Sequence, residues 1–264
     1  MDNSNVYNKG FYQDQASASY RSGVKVLSCL FDMIKKPDSI LDIGCGTGSW
    51  LAAAHYLGVE DVIGVDGSSS AKKMLMIPDR FWLEENVGQK IELGRKFSLA
   101  LSLEVAEHLP IESHSTLISN LTCHSDVILF SAAIPYQGGT GHQSENWPSY
   151  WNEHFIRFGF DCFDIIRPAI WNMPGVNFWY KQNIMLFVRK GGACEEIGLD
   201  VSQKTNNPLS LIHPEMYLWA IKREGGLSLE KYSHDICYYL ALKDKKESAF
   251  IDIPRYGSEY NNEF

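Results

Sequence analysis

Short apolar runs alternate along the chain with stretches in which apolar side chains recur every three or four residues. Residues 16–35 place Ala18, Val24, Val26, Leu27, Leu30, Phe31 and Ile34 at helical intervals, and Pro37 with Asp38 stops the run. A leading helix is predicted there. SILDIG (39–44) reads as a buried strand, followed by a helix over 50–57 that Gly58 ends. DVIGVD (61–66) is a second strand, and the serines at 68–70 offer hydroxyls to cap the helix after it. FWLEEN (81–86), FSLALSL (97–103) and DVILFSA (126–132) are the third to fifth strands, with a helix around 113–122 between the last two. A Gly-, Pro- and aromatic-rich loop covers 134–151, and Pro148 suits the first turn of a helix running to Gly159. DCFDIIR (161–167) and NIMLFVR (183–189) are the last two strands, joined by a link too short for a helical crossover and therefore antiparallel.

This alternation predicts an α/β fold: a Rossmann-like, seven-stranded, mostly parallel sheet whose last strand is antiparallel. Gly191-Gly192 marks the expected boundary between a domain over 1–190 and a partly helical C-terminal extension over 191–264. Within the extension, PLSLIHPEMYLWAIKREGG and SHDICYYLALKDKKESA have helical spacing. With 264 residues, 45% of them apolar, the chain can bury a sizeable core, which excludes whole-chain disorder. A net charge of -8 supplies no basic field for generic nucleic-acid binding. No run approaches the ~18 consecutive apolar residues of a membrane span, and the polar N-terminus resembles no secretion signal, so no membrane association and a cytoplasmic location are expected. The six cysteines stand singly without zinc spacing, so reduced thiols are expected.

Candidate chemistry starts at the first strand's end, where Asp42-Ile43-Gly44-Cys45-Gly46-Thr47-Gly48 turns into a helix. Glycines in alternating positions let a ligand lie against the backbone. The spacing is GxGxG rather than the GxGxxG of dinucleotide folds, and Asp42 would repel a pyrophosphate yet suits a ligand bearing an ammonium and a sulfonium. Asp66, followed by Gly67 at the end of the second strand, has two acceptor oxygens for the hydroxyls of a ribose. A nicotinamide cofactor and a tight turn without ligand are the alternatives.

LDIGCGTG and the acid at Asp66 resemble the motifs of class I S-adenosylmethionine-dependent methyltransferases, over about residues 20–190. The resemblance implies S-adenosylmethionine as cofactor, bound by Asp42, Gly44, Cys45, Gly46, Gly48, Asp66 and Gly67. It further implies an adenine site at Asn86 and Val87, where Asn stands for the family's acid, and places Ser102 in the cofactor pocket and Ser22 over the methionine end.

On the acceptor side, SLEVAEHL (102–109) sets Glu104, Glu107 and His108 at i, i+3 and i+4, one face of a helical turn. With His142 from the long loop these residues resemble the divalent site of metal-assisted O-methyltransferases; in the metal-free alternative His142 or His108 is a general base and Glu104 lines the catalytic site. GTGHQSENWPSYW, IIRPAIWNMPGVNFWYKQN and PLSLIHPEMY are similar to a subfamily of polysaccharide- and sugar-linked bacterial gene clusters. That similarity implies a small-molecule or sugar acceptor, with O-methylation first, N-methylation of an amino sugar or other amine second, and metal-assisted RNA 2'-O-methylation third. A module that only senses S-adenosylmethionine would lack base candidates. Trp147, Tyr150, Trp151, Trp171, Trp179 and Tyr180 offer stacking faces, although Trp151, Phe155 and Phe158 share the spacing of a core-facing helix, as His213 could equally be structural. The loop is expected to act as a lid hinged at Gly138, Gly139 and Gly141.

Overall fold

The computed structural model describes residues 9–223. In chain order the elements are α1 (Lys9–Met33), β1 (Ser39–Ile43), α2 (Ser49–Tyr56), β2 (Asp61–Asp66), α3 (Ser69–Lys72), β3 (Trp82–Glu84), β4 (Leu99–Leu103), α4 (His114–His124), β5 (Val127–Ser131), α5 (Pro148–Arg157), β6 (Phe160–Phe163), α6 (Ile166–Ile170), α7 (Phe178–Asn183), β7 (Met185–Arg189), α8 (Ala193–Glu196) and α9 (Pro214–Arg223). The strands form one seven-stranded sheet in the order β3-β2-β1-β4-β5-β7-β6. β1 to β5 run parallel, and β7 inserts between β5 and β6 antiparallel to both, as the short link predicts.

The apolar runs are continuous because the central strands are covered on both faces. Ile40 joins Val26, Leu27, Leu30 and Leu51 on the side of α1 and α2. Its neighbours Leu41 and Ile43 join Leu117, Leu121, Phe130 and Phe155 on the side of α4 and α5. Strand alternation thus builds two cores from one sequence run. Phe155 of α5 stacks on Phe187 of β7 with ring centroids 3.8 Å apart, and Trp151 is buried against Phe130, so these two aromatics belong to the core.

Three expectations need correction. The third strand is limited to 82–84 instead of 81–86. The sixth ends at Phe163 rather than 167, because Asp164 and Arg167 pair across a helical turn. Residues 164–184 then hold two short helices, α6 and α7, where no helix was expected. The compact unit that holds the sheet runs through Arg223. Residues 191–213 are fastened by polar bonds that composition does not reveal: Thr205 N donates to Cys162 O (2.8 Å), Asn152 Nδ2 to Asn206 O (2.9 Å) and His213 N to Gln182 Oε1 (2.8 Å). The helix expected within 233–249 lies outside the described residues. Among the described residues no helix is long and apolar enough to cross a membrane, and Cys29, Cys45, Cys123, Cys162 and Cys194 are free thiols.

Arg167 is central to this fastening. It is fully buried, donates from Nε to Asp164 Oδ1 (2.7 Å), and from one terminal nitrogen to the carbonyls of Gln182 (3.1 Å) and Leu209 (2.9 Å). Removing one partner of a buried ion pair strands the other, so Arg167→Ala should lower stability by about 3–5 kcal/mol. Urea unfolding measures the loss, and limited proteolysis should find new cleavage around 204–213.

Candidate active site

The C-terminal ends of β1, β2 and β4 open onto a cavity of about 760 Å³. The glycine loop lines its floor. Gly44 has φ +85°, and a β-carbon there would stand 2.4 Å from a methyl of Val105, so both conformation and space demand glycine. Asp66 ties the loop to the end of β2: Gly46 N donates to its Oδ2 (2.8 Å) and Ser68 N to its Oδ1 (2.7 Å). Burial raises the Asp66 carboxyl, and these two amide bonds oppose the rise. Each oxygen keeps a second lone pair, so the carboxylate enters the cavity already oriented.

Asp42, at the bottom, is pushed up to about 8, first by burial and then by the charge of Asp66. Cys45 lines the cavity beside it, its thiol raised by burial. Gly67 and Val87 also line the cavity, and with Glu84, Glu85 and Asn86 they surround a neighbouring hollow. Asn86 lies in that hollow alone, its side chain accepting from Gly88 N (2.9 Å).

Two candidates fall behind the wall. Ser22 is fully buried and accepts from Asn177 N (3.1 Å); one turn earlier on α1, Ser19 reaches the cavity and pairs with Tyr180 Oη (3.2 Å). Ser102 is also fully buried, since strand alternation turns it away while Leu103 and Glu104 line the cavity.

The acceptor-side residues do not form the helical face their spacing suggests. Glu104 has φ +57°, and only 106–108 make a 3-10 turn, so the two glutamates do not share a helical face. Glu104 accepts from Gln137 Nε2 (2.8 Å) and Asn183 Nδ2 (3.0 Å). Glu107 is 1% exposed, and neither of its oxygens has a hydrogen-bond partner. Burial, then the charge of Glu104, raises its carboxyl, and the nearby amides of Glu107 and Ala133 act against the rise without making a well-aligned hydrogen bond. Burial, then His142, lowers His108.

The long loop docks on this turn. Gln143 N donates to Glu107 O (2.8 Å), Ser144 Oγ to Leu109 O (2.7 Å), and buried His114 pairs through Nε2 with Ser144 Oγ (2.8 Å) and through Nδ1 with Tyr150 Oη (2.9 Å). His142 thereby stands edge-on to His108, with ring centroids 4.8 Å apart. Its Nδ1 pairs with Glu145 Oε1 (2.8 Å), which also accepts from Gly138 N (2.5 Å). A β-carbon on Gly139 would lie 2.2 Å from His142 Nε2, so the ring needs glycine beneath it. Glu145 is thus a positioning residue that the sequence reading missed, as it did Ser19, Gln137 and Asn183, while Gly139, read there as a hinge, makes room for the ring.

Of the four residues of the metal alternative, Glu107, His108 and His142 come together and Glu104 turns elsewhere. Glu104 is occupied by amides, and the ligand atoms of Glu107, His108 and His142 spread over 4.8 Å. His213 is buried outside the cavity, held on Trp171 O (3.0 Å). Of the aromatic candidates Trp179 and Tyr180 line the cavity, joined by Trp219 of α9.

Residues 12–127, which span α1 to the start of β5, match the family described as "Methyltransferase domain". Over that segment the chain is similar to methyltransferase domains. The fold is similar to that of solved structures of low identity. DesVI of Streptomyces venezuelae is 14% identical, with 72% of this chain and 99% of that chain covered at a TM-score of 0.52. CalS10, an amino pentose methyltransferase of Micromonospora echinaspora, is 11% identical, with 72% and 100% covered at 0.51. A search of curated protein sequences gives no match.

The position of Asp42 at the bottom of the cavity sets a pH dependence. An unfolded aspartate ionises near 4 and the folded one near 8, so over that window the unfolded chain releases a proton that the ligand-free fold retains. This residue's contribution to ligand-free stability should therefore fall as pH rises from about 4 to about 8. Asp42→Asn should raise ligand-free stability at pH 7.5 by about 1–3 kcal/mol, read by thermal melts across pH. A flatter pH profile for the variant is the expected signature.

Proposed function

We propose that the chain is an S-adenosylmethionine-dependent methyltransferase that carries a methyl group to a hydroxyl of a sugar or other small polar acceptor, with His142 as general base. The observation that carries the reading is the His142–Glu145 pair on the wall of the same cavity whose floor is the glycine loop. With Nδ1 committed to Glu145, Nε2 is left to take a proton.

S-adenosylmethionine, when bound, supplies a methyl carbon on a sulfonium whose departure needs no acid. Asp66 and Gly67 would receive the ribose, Val87 the adenine, and Asp42 the positive charge at the methionine end. Ser19, Trp50 and Tyr180, linked by hydrogen bonds of 3.2 and 3.3 Å to the tyrosine hydroxyl, close that end from above. The protein's main work is then to align the acceptor oxygen with the methyl carbon. His142 removes the hydroxyl proton as the O–C bond forms and the C–S bond breaks, which is worth about 10²–10⁴ in rate. Trp179, Tyr180 and Trp219 offer ring faces to an acceptor, and the loop motif's similarity to sugar-linked clusters supports the sugar class.

Two measurements test the reading. S-adenosylmethionine and its demethylated product should raise the melting temperature and NAD should not; Asp66→Ala should weaken that binding by about 1.5–3 kcal/mol. With labelled cofactor and a panel of glycosides, His142→Ala should cut turnover by about 10²–10⁴ while leaving cofactor affinity intact. Turnover by His142→Ala at the unmodified rate would remove it from the base role.

A further inference from the structure

The four carboxylates on the cavity wall differ in what satisfies them. Asp66 has two backbone amides, and Glu104 has two side-chain amides. Asp42 faces the end of the cavity where the proposed cofactor brings its own positive charge. Glu107 has none of these. It is almost wholly buried, both oxygens lack a hydrogen-bond partner, and it lies on the acceptor side of the cavity wall. No Lys or Arg lines the cavity among the described residues. The amides of Glu107 and Ala133 lie near this carboxylate but make no well-aligned hydrogen bond to it, so as a buried ion it is under-satisfied until something cationic enters.

We infer that Glu107, with His108 beside it, is a subsite for a protonated amino group on the acceptor. This rests on the proposed methyl transfer and names the acceptor more closely: an amino alcohol, such as an amino sugar. Acceptors around a tetrahedral ammonium at hydrogen-bond distance lie about 4.7 Å apart. The ligand atoms of Glu107 and His108 lie within 4.8 Å of each other, close enough to share one ammonium, while His142 is left for the hydroxyl proton. An ammonium held on Glu107 has no lone pair and is not itself methylated. It anchors the acceptor so that the neighbouring hydroxyl meets His142, whose ring stands against His108.

The test uses the full chain saturated with S-adenosylhomocysteine. Methyl aminoglucosides with the free amine at different ring carbons are compared with their N-acetyl forms and with methyl glucoside by calorimetry. At least one free amine should bind about tenfold or more tighter than both counterparts, and Glu107→Gln, which keeps shape and removes charge, should erase the preference. Equal binding of amine and parent glycoside, or no amine binding up to about 50 mM, overturns the subsite. Saturable binding of Mn²⁺ alone that Glu107→Gln abolishes also overturns it, in favour of a metal. The melting shift given by S-adenosylhomocysteine separates the two levels: if it is intact the ammonium subsite alone fails, and if it is absent the methyl-transfer reading fails first.

Discussion

The bridge made by the Asp66 carboxylate between the amides of Gly46 and Ser68 organises the rest of the site. It joins the loop after β1 to the turn before α3, so the ends of two neighbouring strands present one surface. Because β1 and β2 are parallel and in register from Ser39 opposite Asp61 to Ile43 opposite Val65, their C-terminal ends coincide without further adjustment. Gly44 then lets Val105, just beyond β4, pack directly on the backbone. Ligand surface and sheet packing are thus consequences of the same registers.

Charge distribution is the second constraint. Carboxylates accumulate where a cationic cofactor is proposed to bind, and they do so at the expense of the empty fold, since Asp42 is held far above its ordinary range. Function and stability pull against each other at this residue. On the acceptor side Glu104 and Glu107 illustrate two ways to bury an acid. The first is neutralised by a ring of amides that also ties Gln137, at the start of the long loop, to Asn183 at the end of α7. The second is buried with no hydrogen-bond partner on either oxygen, and this contrast gives the acceptor side its chemical character.

The long loop is shaped by attachment as much as by its glycines. Its second half is bonded to the turn at 107–109 and to His114, and its first half closes on itself through Glu145. One carboxylate oxygen therefore fixes both the path of the loop and the ring of His142. Residues 204–213 are built on the same logic, with buried Arg167 collecting carbonyls from α7 and from this segment.

The sequence by itself determined the sheet, because runs such as SILDIG and DVILFSA are apolar on both faces and only a covered parallel strand satisfies that. It also determined the cofactor half of the site, where loop, strand end and acid are close in sequence and backbone geometry dictates glycine. What only the tertiary structure decided lies where side chains meet across long separations. Spacing placed Glu104, Glu107 and His108 on one helical face, but Glu104 takes a left-handed backbone and turns toward Gln137 and Asn183. Ser22 and Ser102 had the right position along the chain and the wrong side of their elements. Glu145, Ser19 and Arg167 carry no local signal, since each gains its role from a partner on another segment or from a loop conformation. Local periodicity encodes which face is buried; it does not encode which polar group waits on the other side, and that is settled only when the segments pack.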